Sequence, residues 1–273
     1  MKMHAPLALA ALFAAVAAAA DGVPDPSPAG SVPSPVPEDA APLLDDAPAE
    51  GSAAPTSGEE LLAQCAARMP AERILLSGRL NMRKTYGVSL LAFDFSVEAD
   101  LGAAPPRFRY DLSDHGTNLL SVTAVRDPVR GLVLSRADGG PAPAPSDAVL
   151  GTDLSWFDVG VDFVWWRDPV LVGTDRLKGR TCDLLEVTPP EPTQDCAKAR
   201  LWIDRDQKVV MQAVQLDVWG RERRKLWIAG TKKVNGRWVF KILEVETTGT
   251  IHRTRLRFDD ISFPDSPPPP DRR

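Results

Sequence analysis

The hydrophobic period of the chain changes from 3.6 residues to 2 residues after Pro70, and this change constrains the fold more than any other feature. Before Pro70, an S-x-x-E capping box at residues 57–60 precedes one apolar face, which predicts a helix of about three turns. After Pro70, apolar and polar residues alternate, most regularly over residues 91–99, and similar short segments recur as far as Phe258. Asn235-Gly236 predicts a type I′ hairpin turn. A meander of about eleven strands must curl, so we expect a mainly β (α+β) fold: a curled antiparallel sheet with a helix in its mouth.

Residues 151–166 fit neither period. The segment begins Gly-Thr-Asp-Leu-Ser, with side chains that can cap a helix, and aromatic and β-branched residues then make it apolar nearly all round. We expect a short helix or irregular packing inside the concave sheet, and a buried strand is the alternative.

The composition divides the chain into four parts. Residues 1–20 combine Lys2, an unbroken apolar run of 14 residues and a small-residue end at Ala18-Ala19-Ala20, which is typical of a cleaved signal peptide; an uncleaved anchor is the alternative. Residues 21–56 hold nine prolines and no aromatic residue, lysine or arginine, so we expect a disordered Pro/Ala/acidic linker. Residues 57–264 would form one domain and residues 265–273 a Pro-rich tail.

The expected location follows from the first of these parts. A lipid-anchored precursor would need a cysteine directly after the apolar run, and the first cysteine is Cys65. We therefore expect a periplasmic protein that is soluble after cleavage of residues 1–20.

The net charge of -5 is unevenly distributed. Residues 21–60 carry nine acidic residues and no basic one, and residues 61–273 carry 31 basic and 28 acidic residues, a net charge of +3. A mildly basic body suits anionic lipid headgroups or an acidic partner surface. The bias is too weak to indicate nucleic acid.

Sequence motifs for catalysis and metal binding are missing. The three histidines, His4, His115 and His252, belong to no H-E-x-x-H motif, and no C-x-x-C, G-x-S-x-G or phosphate-binding P-loop motif occurs. No paired-carboxylate motif stands out either. We expect a protein that is not an enzyme and that has no metal or cofactor.

Cys182 and Cys196 are separated by thirteen residues that include three prolines. An exported protein meets an oxidising compartment, and a disulfide closing this loop would contribute roughly 3 kcal/mol. We therefore predict a Cys182–Cys196 disulfide and leave Cys65, on the apolar helix face, as a buried thiol.

All seven tryptophans lie within residues 156–238. Any single one is expected to fill the core, but so apolar a segment as residues 156–166 is hard to bury unless something encloses it. Several of these side chains, together with aromatic residues of the predicted strands, are therefore candidates to line an apolar ligand cavity. The candidates are Phe93, Phe95, Phe108, Tyr110, Trp156, Phe157, Phe163, Trp165, Trp166 and Trp202.

Four short motifs, in this order, resemble the outer-membrane lipoprotein-sorting proteins, the periplasmic lipoprotein carrier superfamily. Residues 151–158 (GTDLSWFD) are similar to a G-T-D-x-S-aromatic-x-D segment of that family, and KGRTC at residues 178–182 leads to LEVTP at residues 185–189. ARLWID at residues 199–204 and GRWV at residues 236–239 follow. The resemblance covers roughly residues 60–264.

The resemblance implies a strongly curved antiparallel half-barrel with helices covering its concave face, and an exported, soluble, monomeric carrier. It would bind lipid or lipoprotein acyl chains in an apolar cavity during traffic to the outer membrane, with lipid or acylated protein as cargo and envelope membrane proteins as further partners. Residues 156–166 would move to open the cavity. An envelope sensor or scaffold that binds a protein partner with the same half-barrel is the alternative.

Overall fold

The computed structural model describes residues 14–15, 57–69, 72–84, 86–127, 130–234 and 237–264. The predicted signal peptide (apart from its residues 14–15), the linker, the Pro-rich tail, Pro70 and the Asn235-Gly236 turn lie outside the described residues.

Thirteen strands and two α-helices make up the described part of the chain. The helices are α1 (Gly58–Ala67) and α2 (Trp156–Gly160), and two 3₁₀ helices flank α2 at Val149–Gly151 and Asp162–Trp165. The strands are β1 (Ala14–Ala15), β2 (Arg73–Lys84), β3 (Ser89–Asp100), β4 (Arg107–Asp114), β5 (Thr117–Asp127), β6 (Gly131–Arg136), β7 (Arg167–Leu177), β8 (Arg180–Thr188), β9 (Lys198–Asp204), β10 (Val210–Leu216), β11 (Glu222–Val234), β12 (Arg237–Thr247) and β13 (His252–Ser262).

Twelve of the strands form one open, curved antiparallel sheet in the order β6-β5-β4-β3-β2-β13-β12-β11-β10-β9-β8-β7, and β1 pairs with β12 off this path. The predicted mainly β meander is confirmed, with twelve strands on the path where about eleven were expected. On the twelve-strand path, one pairing is not between consecutive strands, because β2 lies beside β13. The two edge strands, β6 and β7, are consecutive in the chain, so residues 137–166 run from one edge of the sheet to the other.

The β2–β13 junction brings two backbones unusually close together. A Cβ atom built on Gly78 of β2 would lie 1.9 Å from the carbonyl oxygen of Arg257 in β13. No other residue type fits at this position, and the register of the pairing shifts next to it, between Phe258 and Asp260.

The core lies on the concave face of the sheet because the strands alternate as the sequence predicts. In β4, Phe108, Tyr110 and Leu112 are buried, whereas Arg107 and Arg109 are exposed. Helix α1 begins at the predicted Ser57 cap, whose side chain accepts a hydrogen bond from the backbone of Glu60. It buries Leu61, Leu62 and Cys65 and packs against β7 and the 3₁₀ helix after α2.

The predicted disulfide is wrong, because all three cysteines are free thiols in the structure. Cys182 pairs with Asp204 at the last residue of β9, whereas Cys196 lies two residues before the first residue of that strand. Six residues of extended chain between the ends of β9 separate the two positions by about 20 Å, far beyond the Cα separation of about 4–7 Å that a disulfide allows. Cys65 is buried, as expected.

Candidate ligand-binding site

A short helical segment, residues 148–166, covers the concave face, and we call it the lid segment. It contains α2 between the two 3₁₀ helices, so a short helix is the correct alternative and a buried strand is wrong. The start of α2 is fixed by a complete capping box, in which the side chains of Ser155 and Asp158 each accept a hydrogen bond from the other's backbone N–H group. Val161 ends α2 in the left-handed region, with φ of 47°, a strained conformation for a β-branched residue.

The aromatic side chains of the lid segment pack into the concave face of the sheet. The rings of Tyr110 and Trp156 pack edge to face with their centroids 5.6 Å apart, and this contact joins the lid segment to β4. Within the lid segment, the ring of Trp166 packs edge to face against Phe157 at 5.3 Å and Phe163 at 5.0 Å.

The lid segment and the sheet enclose a small apolar cavity of about 20 Å³. Phe95, Tyr110 and Leu256 line it from the sheet, and Trp156 and Val159 from α2. A cavity of this volume holds about one water molecule. The side chains of the protein therefore fill the concave face.

Nine of the ten predicted cavity residues belong to this core. Phe95, Phe108, Tyr110, Trp156, Phe163 and Trp166 are buried in it, and Phe93, Phe157 and Trp165 pack against it. Trp202 lies elsewhere: it packs on a small cluster of Cys182, Met211, Ile228 and Phe240, and its Nε1 donates a hydrogen bond to Asp175 Oδ2 at 2.9 Å.

Sequence reasoning missed three buried aspartates of the lid segment, which bond to three different parts of the sheet. Asp153 reaches the β12–β13 hairpin, where it accepts hydrogen bonds from the hydroxyls of Thr247 at 2.9 Å and Thr254 at 3.0 Å. The ring Nδ1 of His252 lies 3.1 Å from the same carboxylate. The backbone N–H of Asp153 donates in turn to Thr254 Oγ1 at 2.9 Å.

Asp158 connects α2 to β11. Its carboxylate accepts hydrogen bonds from the backbone and hydroxyl of Ser155 at 2.7 and 2.8 Å, and from Arg224 Nη2 at 2.6 Å. The side chain of Asp158 is 1% exposed and that of Arg224 is 16% exposed, so this is a nearly buried ion pair.

Asp162 connects the second 3₁₀ helix to β5. It is fully buried, forms an ion pair with Arg126 and accepts a hydrogen bond from Trp166 Nε1 at 3.0 Å. The Arg126 guanidinium also stacks on the ring of Trp165, with Cζ 4.1 Å from the ring centroid. Burial lowers the pKa of Arg126 to about 9, so it still carries a positive charge at neutral pH, and burial raises the pKa of Tyr110 nearby.

The signal for these aspartates is present in the sequence. Carboxylates at 153, 158 and 162 interrupt the most apolar stretch of the folded part of the chain, and a buried carboxylate needs hydrogen-bond or charge partners. Their partners on β5 and β11–β13 could not be identified before the sheet was known.

The described residues hold no group of three or more His, Cys, Asp or Glu side chains that could bind a metal ion. Within the same residues, no helix has the length and hydropathy needed to cross a membrane. The site that the geometry defines is an apolar concave surface under a lid that three carboxylates hold in place.

An open, curved antiparallel sheet with a helical lid over an apolar concave face places this chain in the class of half-barrel folds. Among solved structures, an outer membrane lipoprotein-sorting protein domain from Vibrio parahaemolyticus is similar at a TM-score of 0.64 and 13% identity, covering 76% of this chain and 92% of that chain. A LolA superfamily protein from Nitrosomonas europaea matches at a TM-score of 0.56 and 13% identity, covering 78% of this chain and 96% of that one. A DUF1329 family protein from Desulfovibrio piger ATCC 29098 matches at a TM-score of 0.56 and 18% identity, covering 76% of this chain and 91% of that one.

The resemblance to the lipoprotein-sorting family is thus confirmed at the level of the fold. A family model described as "Uncharacterized protein"-like matches residues 140–269, which include the lid segment and all strands from β7 onward. No curated protein matches the sequence.

Proposed function

We propose that the protein is a carrier that binds the acyl chains of lipids or lipoproteins on its concave face, for traffic to the outer membrane. The observation that carries this proposal is the construction of the site. The concave face is apolar, and the segment that covers it is joined to the sheet by side-chain packing and side-chain hydrogen bonds instead of a backbone hydrogen-bond ladder. Such a cover can leave without unfolding the sheet.

Apolar burial is the physical basis of the proposed affinity. Each buried methylene contributes about 0.8 kcal/mol, so a 16-carbon chain would gain roughly 12 kcal/mol. A cavity of about 20 Å³ cannot hold such a chain, so the proposal requires the lid segment to move. The aromatic residues that now pack under the lid segment, Phe95, Tyr110 and Trp156 among them, would then contact the ligand.

The remaining parts of the proposal concern location and organisation. We propose that residues 1–20 are a signal peptide, residues 21–56 a linker, residues 57–264 the carrier domain and residues 265–273 a tail. The protein would act in the periplasm as a monomer without cofactor or catalysis, and envelope membrane proteins would be its donors and acceptors.

Titration with a fluorescent acyl probe tests the carrier function. Val159 lines the cavity from the lid segment, and Val172 is an exposed valine of β7, so Val159→Asn and Val172→Asn place the same amide in and outside the site. A buried amide without a partner is disfavoured by about 1–3 kcal/mol, which predicts roughly tenfold or weaker probe binding for Val159→Asn and no change for Val172→Asn. Circular dichroism confirms that both variants fold. A wild-type protein that binds no probe would refute the carrier.

The filled concave face supports a second candidate, an envelope sensor or scaffold that binds a protein partner. In that case the lid segment stays closed, and the outer surface of the domain forms the interface. Native mass spectrometry of protein purified from the envelope separates the two: a co-purifying lipid supports the carrier, and a stoichiometric protein partner without lipid supports the scaffold.

A further inference from the structure

Arg126 is a deeply buried cation on the concave side of the described sheet. It follows Val122 and Ala124 on the inward face of β5, and both of those residues are fully buried. Arg126 itself is 6% exposed, and it interacts electrostatically with Tyr110, which lines the cavity. The positive charge therefore lies beside the apolar volume that an acyl chain would enter.

Two N–H groups beside this charge have no hydrogen-bond partner among the residues that the structure describes. They are Arg126 Nε and the indole Nε1 of Trp165, and both atoms are buried. The two side chains also stack on each other. Because buried donors are nearly always satisfied in folded proteins, the unused Nε of Arg126 indicates a position for a further oxygen acceptor, whereas Trp165 belongs to the lid segment and moves with it.

The negative charge that now balances Arg126 comes from the lid segment itself, through Asp162. When the lid segment moves away, Asp162 leaves with it, and Arg126 would remain as an uncompensated charge in an apolar pocket. Such a state is strongly disfavoured. A neutral acyl ligand does not relieve it, whereas an anionic head group does so by taking the position of the carboxylate.

We propose that Arg126 forms the head-group site for an acyl ligand with an anionic head, a carboxylate or a phosphate, which replaces Asp162 on Arg126 as the lid segment opens. This inference rests on the proposed function, because it assigns the ligand class of the same site. The exchange conserves charge: one anion enters the pocket, and the Asp162 carboxylate moves toward water. Binding of the head group is thereby coupled to release of the lid segment.

Equilibrium binding of three ligands with the same chain tests the site: dodecanoate, dodecyl phosphate and dodecanol. A charged hydrogen bond predicts that at least one anionic ligand binds about tenfold more tightly than dodecanol, and the tighter of the two identifies the head group. Arg126→Gln should remove this preference while dodecanol still binds. If the wild-type protein binds all three ligands equally, the head-group site is refuted and the carrier stands; if it binds none, both are refuted.

Asp162→Asn and Asp158→Asn form a matched pair that remains informative if Arg126→Gln does not fold. Both variants remove a buried carboxylate that holds the lid segment to an arginine, but only Asp162→Asn vacates Arg126. We expect Asp162→Asn to strengthen dodecanoate binding several-fold more than dodecanol binding, and Asp158→Asn to change both ligands equally. An equal change for both ligands in Asp162→Asn would mean that the ion pair only holds the lid segment, and it would overturn the proposal.

Discussion

The ion pair between Arg224 and Asp158 is predicted to set the frequency with which the lid segment opens. In Arg224→Gln, Asp158 keeps its hydrogen bonds from Ser155 but loses its charge partner at 2.6 Å. Removal of one partner of a buried ion pair is disfavoured by about 3–5 kcal/mol. Because the Arg224 side chain is 16% exposed and water can partly replace it, we take the lower value of about 3 kcal/mol, which corresponds to a roughly hundredfold change in equilibrium.

Native-state hydrogen exchange reports this opening through the amides of Val159 and Val161, which bond to Ser155 O and Asp158 O, because a helix of 5 residues does not keep these bonds once it leaves the sheet. In Arg224→Gln these amides should exchange about a hundredfold faster than in the wild type, and the amides of the β2–β3 pair should not change. The control is Arg200→Gln: Arg200 pairs with Glu186 on the sheet and is 41% exposed, so its loss changes stability by about 1 kcal/mol at most.

Two results would refute the reasoning. Unchanged exchange in the lid segment would mean that the ion pair does not hold it, and equal acceleration throughout the sheet would mean that the lid segment does not open as a separate unit. The double variant Arg224→Gln/Asp158→Asn adds a further check. It leaves no unpaired charge, so its exchange should be slower than that of Arg224→Gln alone.

Three further outcomes follow from the packing. Gly78→Ala should lower the free energy of unfolding in urea by more than 2 kcal/mol, because its Cβ would overlap the Arg257 carbonyl. The control is Gly230→Ala, whose Cβ would lie 3.6 Å from its nearest neighbour and which should lower the same free energy by about 1 kcal/mol or less. Thr254→Val removes a buried hydroxyl that donates to Asp153 and should cost about 1–3 kcal/mol; a stability equal to the wild type would show that this bond contributes nothing. Burial raises the pKa of all three cysteine thiols to about 12. At pH 8 an alkylating reagent should therefore react slowly with the native protein, and it should label three thiols in denaturant. If only one thiol is labelled in denaturant, two of the cysteines form a disulfide.

The alternation of apolar and polar residues was sufficient to predict the sheet, because most of the long strands pack one face on the same core. The disulfide failed for a reason that the strand pattern already contained. Cys182 and Cys196 each stand near the start of a strand, and neighbouring antiparallel strands place their starts at opposite ends. The length of the loop permits the pairing, but the direction of the strands excludes it.

The carboxylate contacts of the lid segment could not be predicted in the same way. The hydroxyls that bind Asp153 lie 94 and 101 positions further along the chain, and only the β2–β13 junction and the curl of the sheet bring them under the lid segment. A local pattern identifies an aspartate in an apolar stretch, but the global register selects its partner. For the aromatic residues the case is different, because a continuous apolar segment is buried wherever it packs.

The lid segment is part of the connection between the two edge strands, residues 137–166, and is therefore anchored at both ends. The connection leaves β6 at Arg136 and enters β7 at Arg167, so the lid segment can rise from the concave face only if residues 137–147 extend or the two edges of the sheet approach each other. Three prolines in that stretch limit how far it can lengthen. The separation of the two sheet edges and the distance of the lid segment from the concave face therefore change together. The volume beneath the lid segment would increase gradually, so the same movement would accommodate ligands of different size.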